Sequence, residues 1–212
     1  MELQELRVDW RAVVTVVAST LLLTVDSYHV FFETFFASSL EAELATKTLL
    51  YLIIPLLVIL LLFRQLPARY GMRLGDWRAG LSLTAAACVA LAVVVLLLGR
   101  TAEFGDYYRH TVDRPIPFWL ADGIELVSWE FFFRGFLLFA LYRACGPIAL
   151  VLQAVPFALA HIGKPELETL SCIFGGTAFG YVAWRTQSFL YPFLIHWFLA
   201  SFTAMVAGGV VG

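Results

Sequence analysis

Apolar residues run almost unbroken over seven stretches of the chain, 12 to 37, 46 to 63, 79 to 98, 116 to 141, 148 to 162, 169 to 184 and 189 to 209. Polar residues, glycines and prolines collect between them, in SSLEAE at 38 to 43, RQLPARYGMRLGDWR at 64 to 78, GRTAEFGDYYRHTVDRP at 99 to 115, CGP at 145 to 147, GKPE at 163 to 166 and RTQS at 185 to 188. Several of the apolar runs approach or exceed the ~20 residues that an α-helix needs to cross ~30 Å of hydrocarbon. The pattern predicts an all-α, multi-pass transmembrane helical bundle of about seven helices. It forms a single integral-membrane domain over 1–212 with no separate soluble part, and no repeat or low-complexity tract interrupts it.

Composition agrees with the pattern. Hydrophobic residues make up 61% of the chain and charged residues 14%, against about 25% charged in a typical soluble domain. The formal net charge of −2 and the lack of a basic cluster interleaved with aromatics give no nucleic-acid partner. Cys88, Cys145 and Cys172 have no CxxC spacing, so neither a disulfide framework nor a metal site is expected. The opening MELQELRVDWR carries acids as well as arginines, and no small-residue cleavage site follows, so the first helix is expected to stay. Arg7, Arg11, Arg64, Arg69, Arg73, Arg78, Arg143 and Arg185 fall on one side of the bundle, against Lys47, Arg100, Arg109, Arg114 and Lys164 on the other. This bias predicts a multi-pass protein of the cell membrane with a cytoplasmic N-terminus.

An ionisable group at membrane depth costs at least ~2.5 to 3.5 kcal/mol, so it faces the bundle interior and needs a partner. Four places hold such groups. Glu130 and Arg134 in SWEFFFRG stand four apart on one helix face, within salt-bridge reach. Counting back from Arg143 at ~1.5 Å per residue puts Glu130 roughly 20 Å deep. The same count from Pro147 puts His161 roughly 21 Å deep, at the same level, with Gly163 and Pro165 breaking the helix just after it. His196 comes out only ~10 Å inside the last helix, too shallow unless the 185 to 192 connection dips into the membrane. Asp26, His29 and Glu33 share a stripe of the first helix at i, i+3 and i+7. Each place also has a bland reading: a buried ion pair that orients helices, a satisfied core histidine, or a polar stripe among lipid headgroups.

The acidic residue and arginine of WEFFFR, then Phe157 and His161 in FxxxH, then His196 in the last helix, resemble the CPBP intramembrane protease family. That family includes type II CAAX prenyl endopeptidases and bacteriocin-processing or self-immunity proteins. The resemblance covers about residues 66–205, beginning at GMRLGDWRAG, and leaves helices at about 10–63 as accessory. Residue by residue it carries over Glu130, Arg134, Phe157, His161 and His196. The family's EExxxR has Trp129 at its first glutamate, the one usually assigned to activating water, and its HxxxN has Ala200 in place of the oxyanion-binding asparagine. Glu125, one turn before Trp129, and Glu168, just beyond the break after His161, are candidate substitute carboxylates.

The resemblance implies a glutamic intramembrane endopeptidase. In it, Glu130 with His161 activates water, His196 stabilises the oxyanion and Arg134 positions Glu130. The partners would be a membrane-anchored or lipidated protein or peptide and the lipid bilayer, with no cofactor and no metal. Two alternatives stand beside it. One is a degenerate, non-catalytic member that binds a membrane peptide or lipid tail in immunity or as a scaffold, for which Trp129 and Ala200 argue. The other is a zinc protease built from the histidines and carboxylates, against which stands the lack of HExxH. No inverted repeat supports a transporter.

Overall fold

The computed structural model describes residues 9–29, 31–112 and 117–211. Arg7 and Arg114 of the orientation count, and the first eight residues of the leader reading, lie outside them. Within the described residues the chain is helical throughout, with only an isolated bridge between Ile162 and Lys164. Helix α1 spans Trp10–Tyr28. Helix α2 spans Ser39–Leu62 and includes two π-helical stretches, Leu49–Ile53 and Val58–Leu62. Then come α3 over Trp77–Leu98 and the short α4 over Ala102–Tyr108. Helix α5 is continuous through Phe118–Glu130, the π-helical Phe131–Leu137 and Leu138–Cys145. Helix α6 comprises Ala149–Leu152 and Ala154–Leu159, followed by α7 over Glu166–Thr186 and α8 over Leu190–Ala207.

The seven apolar stretches thus each carry a helix, and among the described residues five helices are long and apolar enough to cross a membrane. One of these is the 42-residue Phe118–Leu159, which Gly146, at φ +68°, folds into α5 and α6. Helix α7 has the length, at 21 residues, but Glu166, Glu168 and Arg185 near its ends dilute its apolar character.

The first helix is shorter than its apolar run predicts. It ends at Tyr28, His29 is extended at φ −139°, and Phe32 sits at φ +68°. Asp26, His29 and Glu33 therefore share no helical stripe. Asp26 accepts a hydrogen bond from Tyr51 on α2 at 2.7 Å instead. The polar SSLEAE does not break the chain but starts α2. Ser38 Oγ accepts from the Glu41 N–H at 3.3 Å, the Ser-x-x-Glu pattern that begins a helix.

A cluster of buried aromatics lies at the centre, with Tyr51, Phe131, Phe132, Phe133 and Phe136 all fully buried around α5. Lipid is as apolar as these rings, so close packing rather than exclusion of water holds the helices together. Two rings are packed edge-on or tilted against Tyr51, Trp129 at 5.1 Å and Phe132 at 4.8 Å, geometries that contribute beyond mere burial.

The segment between α2 and α3 folds under the α7–α8 connection. Phe189 donates its N–H to the Gly71 carbonyl at 3.1 Å, and Asp76 donates its own to the Thr186 carbonyl at 2.9 Å. At Gly75, with φ +59°, a Cβ would lie only 1.9 Å from the Thr186 oxygen, so only glycine fits. The Asp76 side chain caps α3 by accepting from the Ala79 N–H at 3.1 Å, and it pairs with Arg185 at 2.9 Å. The Ala79 N–H first, and then the Arg185 guanidinium, hold its carboxyl below the ordinary 3.8. A depressed folded value means the stabilisation is complete above pH 3.8 and is lost as pH falls through the lower folded value. Asp76→Asn keeps the cap but loses the charge. An acid titration of thermal stability in detergent should then show a smaller loss at low pH than the unchanged protein shows.

Candidate active site

The charged motif spans the junction where α5 turns π-helical, with Glu130 the last α-helical residue and Arg134 within the π-helical turn. A widened turn of this kind is often found at functional sites, although α2 carries two more, at Leu49–Ile53 and Val58–Leu62. Glu130 and Arg134 are both fully buried, and Arg134 donates from a terminal guanidinium nitrogen to Glu130 Oε1 at 3.1 Å. The guanidinium lies 3.9 Å from the ring centre of Phe157 on α6, 5.3 Å from that of Phe179 on α7 and 5.7 Å from that of Phe133. An arginine in an aromatic cage keeps a favourable electrostatic environment where water is absent.

Helix α8 brings a second partner to the same oxygen. His196 Nδ1 lies 2.6 Å from Glu130 Oε1. The depth count that made His196 too shallow fails for a geometric reason, since the α7–α8 connection turns inward after the exposed Gln187. Ser188 and Phe189 are buried, and the Phe189 ring packs on Phe131 at 5.3 Å, one residue from Glu130. Helix α8 starts inside the bundle, against the segment between α2 and α3.

His161 follows the end of α6 in a turn that includes Gly163 at φ +102°. Its Nδ1 lies 2.7 Å from the Phe157 carbonyl. A carbonyl oxygen can only accept, so Nδ1 carries a proton and, in the neutral ring, Nε2 presents its lone pair. The Thr169 hydroxyl bonds the His161 carbonyl at 2.8 Å and ties the turn to α7. The His161 and His196 rings stack at 6.4 Å, with Phe157 at 4.4 Å from the first and 5.9 Å from the second.

Helix α6 approaches α7 closely because Gly176 and Gly180 face it. A Cβ at Gly176 would come within 3.0 Å of Ala154 and of Phe157, and one at Gly180 within 2.8 Å of Gln153. Gln153 donates to the buried Gly176 carbonyl at 2.7 Å and to the Leu150 carbonyl at 2.8 Å. Small residues four apart permit such helix contact in a membrane.

The structure therefore brings Glu130, Arg134, Phe157, His161 and His196 together at one place. It pairs Glu130 directly with His196, whereas sequence reasoning coupled it to His161. The two candidate substitute carboxylates are engaged by other groups. Glu125 accepts from Lys47 on α2 at 2.7 Å. Glu168 accepts from the Tyr108 hydroxyl, at 2.7 Å to one oxygen, and from Lys164 at 3.0 Å. The Trp129 ring lies 6.0 Å from His161 and 5.0 Å from Phe133. Ala200 packs against the aromatic core and offers no donor. Phe179 and Tyr51, which line the cage and support Trp129, carried no sequence signal beyond being aromatic.

Polar capacity is left over at the centre. Glu130 Oε2 and the Nε and second terminal nitrogen of Arg134 are buried and have no hydrogen-bond partner. Groups of this kind are costly to leave unpaired, so in a membrane protein they mark a place where water or a substrate polar group belongs. Among the described residues no group of three or more His, Cys, Asp or Glu is placed to hold a metal ion. An apolar groove of about 690 Å³, bordered by Phe32, Phe35, Phe36, Leu44 and Ile124, lies elsewhere on the bundle. A smaller one of about 240 Å³ lies by Trp119, Trp197 and Phe202, and none of the five site residues lines either.

Residues 117–202 match a family model described as type II CAAX prenyl endopeptidase Rce1-like. The matched segment holds α5, α6, α7 and most of α8, and all five site residues fall within it. No curated protein and no solved structure matches the chain.

Proposed function

We propose, taking the Rce1-like segment over residues 117–202 as premise, that the protein is a glutamic-type intramembrane endopeptidase. Its substrate is a peptide bond in a membrane-anchored or lipidated protein or peptide that enters laterally from the bilayer. The match supports a membrane-embedded protease of the CAAX type. The observation that carries the finer reading is the division of labour at Glu130, where Oε1 is held by Arg134 and His196 while Oε2 is buried and open.

In this reading Oε2 takes a proton from water as the water oxygen bonds to the scissile carbonyl carbon. His161, its Nδ1–H committed to Phe157, accepts the water's other hydrogen at Nε2 and so orients it. His196 in its imidazolium form donates from Nε2 to the developing oxyanion, a contribution of the kind that a preorganised donor makes in a dry site. The proton held by Glu130 passes to the leaving nitrogen as the C–N bond breaks, giving a carboxylic acid and an amine; the acid's remaining water-derived proton then moves to the amine, leaving a carboxylate and an ammonium group. Arg134 positions Glu130 throughout. With Trp129 and Ala200 at the family's glutamate and asparagine positions, base and oxyanion duties fall on Glu130, His161 and His196 alone. The catalytic core runs over about 66–205, with helices at about 10–63 accessory. The protein lies in the cell membrane with its N-terminus on the cytoplasmic side.

The alternative is a non-catalytic member that binds a membrane peptide or lipid tail, and the Trp129 ring against His161 favours it. One experiment separates the two. The protein is reconstituted in vesicles with a panel of membrane-anchored peptides, some prenylated, with and without a chelator. Cleavage that survives the chelator and disappears in His161→Ala is the expected result. Equal cleavage by His161→Ala removes that residue from the mechanism, cleavage lost to the chelator favours a zinc enzyme, and no cleavage of any peptide favours the binding protein.

A further inference from the structure

The arginine-rich end of the bundle holds a feature that proteolysis does not use. Arg11 at the start of α1 and Arg143 near the end of α5 converge on Tyr70, which the turn after α2 buries completely. The Arg143 guanidinium lies over the Tyr70 ring at 4.3 Å and donates to the Arg69 carbonyl at 3.1 Å. Arg11 is close enough to act electrostatically on the Tyr70 hydroxyl, and its Nε is buried without a partner. The Arg69 side chain is exposed and makes no hydrogen bond or ion pair among the described residues. Asp9 is the acid beside this group, and it is occupied in accepting the Arg11 backbone N–H at 2.9 Å. Arg11 and Arg143 therefore meet at Tyr70 with one carboxylate beside them, and Arg69 is exposed on the same turn as Tyr70.

Apolar surface continues directly from the charge. Trp10 is 46% exposed and packs edge-on against Phe63 at 5.5 Å, and Leu62 and Leu66 beside it are 52% and 70% exposed. A tryptophan with neighbouring leucines and arginines is the pairing of an apolar surface and a wet tip that suits the bilayer interface. The Arg185 side chain, at the same end, is instead neutralised by Asp76.

The geometry points to a site for one anionic phospholipid, with its phosphate held by Arg11, Arg69 and Arg143 and its acyl chains lying along Trp10, Leu62 and Leu66. Guanidinium suits the group, since its planar fork donates two parallel hydrogen bonds to phosphate oxygens. The complementarity of charge, and the unbroken step from charge to apolar surface, select a lipid over a soluble anion.

Native mass spectrometry of protein released from nanodiscs of phosphatidylcholine with a minor fraction of phosphatidylglycerol tests this. One phosphatidylglycerol retained in preference to phosphatidylcholine is the expected result. Retention should fall about fivefold in Arg69→Gln and about fivefold again when Arg11→Gln is added. Arg143→Lys, which keeps the charge but loses the planar fork, should retain only part of the preference, and Arg185→Gln all of it. Millimolar inorganic phosphate should not displace the lipid. The proposal is overturned by no preference between the lipids, by an equal loss in Arg185→Gln, which would indicate a diffuse field, or by displacement with phosphate. None of these readings depends on cleavage, so the outcome stands apart from the protease assignment.

Discussion

Arg134→Met is expected to destabilise the protein by about 3–5 kcal/mol, the scale on which removing one partner of a buried ion pair acts. Arg134 is fully buried, and its guanidinium both binds Glu130 Oε1 and fills the cage of Phe157, Phe179 and Phe133. Methionine matches the length of the stem but leaves Glu130 buried beside His196 alone. Thermal unfolding in detergent reads the loss directly. Glu130→Gln combined with Arg134→Met should cost less than Arg134→Met by itself, because the second change removes the stranded charge. A single-variant loss below about 1 kcal/mol, in the range of an exposed pair, would mean that the two side chains are not coupled in the native protein.

Glu130→Gln is expected to lower the rate of peptide cleavage by about 10²- to 10⁴-fold, the usual contribution of a positioned general base. Glutamine keeps a carbonyl oxygen for the Arg134 and His196 donors, so the positions of α5 and α8 should hold. What changes is the other end of the group, where an N–H₂ that cannot take a proton replaces the open Oε2. The loss should therefore appear in kcat with little change in KM. Loss confined to KM would make Glu130 a binding group and would return the water-activating role to a group outside the present assignment.

Much of this was legible in the sequence because it depends on local spacing. The seven helices follow from the apolar runs, and the Glu130–Arg134 pair follows from two charges four apart in SWEFFFRG. His161 could be placed near Glu130 by counting rise along α6. The parts that were not legible depend on contacts between distant segments. The Glu130–His196 bond joins residues 66 apart, and it requires α8 to begin inside the bundle, which the rise per residue cannot reveal. The same holds for Glu125, whose partner Lys47 is 78 residues away, and for Glu168, whose partner Tyr108 is 60 away. The end of α1 was missed for another reason. The residues 31–36 are as apolar as the helix before them, so hydrophobicity alone does not mark the stop at Tyr28.

Trp129 concentrates the functional question. It occupies the place of a glutamate in the family's motif and packs on Tyr51, Phe133 and His161 as a core residue does. If the protein is a hydrolase, Glu130 supplies the base that Trp129 cannot.

The most direct measurement of that claim is cleavage of a membrane-anchored peptide in H₂¹⁸O, followed by mass spectrometry of the products, for the unchanged protein and for Glu130→Gln. The account predicts one ¹⁸O atom in the new C-terminal carboxylate with the unchanged protein, and product reduced by at least about 10²-fold with Glu130→Gln. Equal yields of ¹⁸O-labelled product from the two proteins would contradict it.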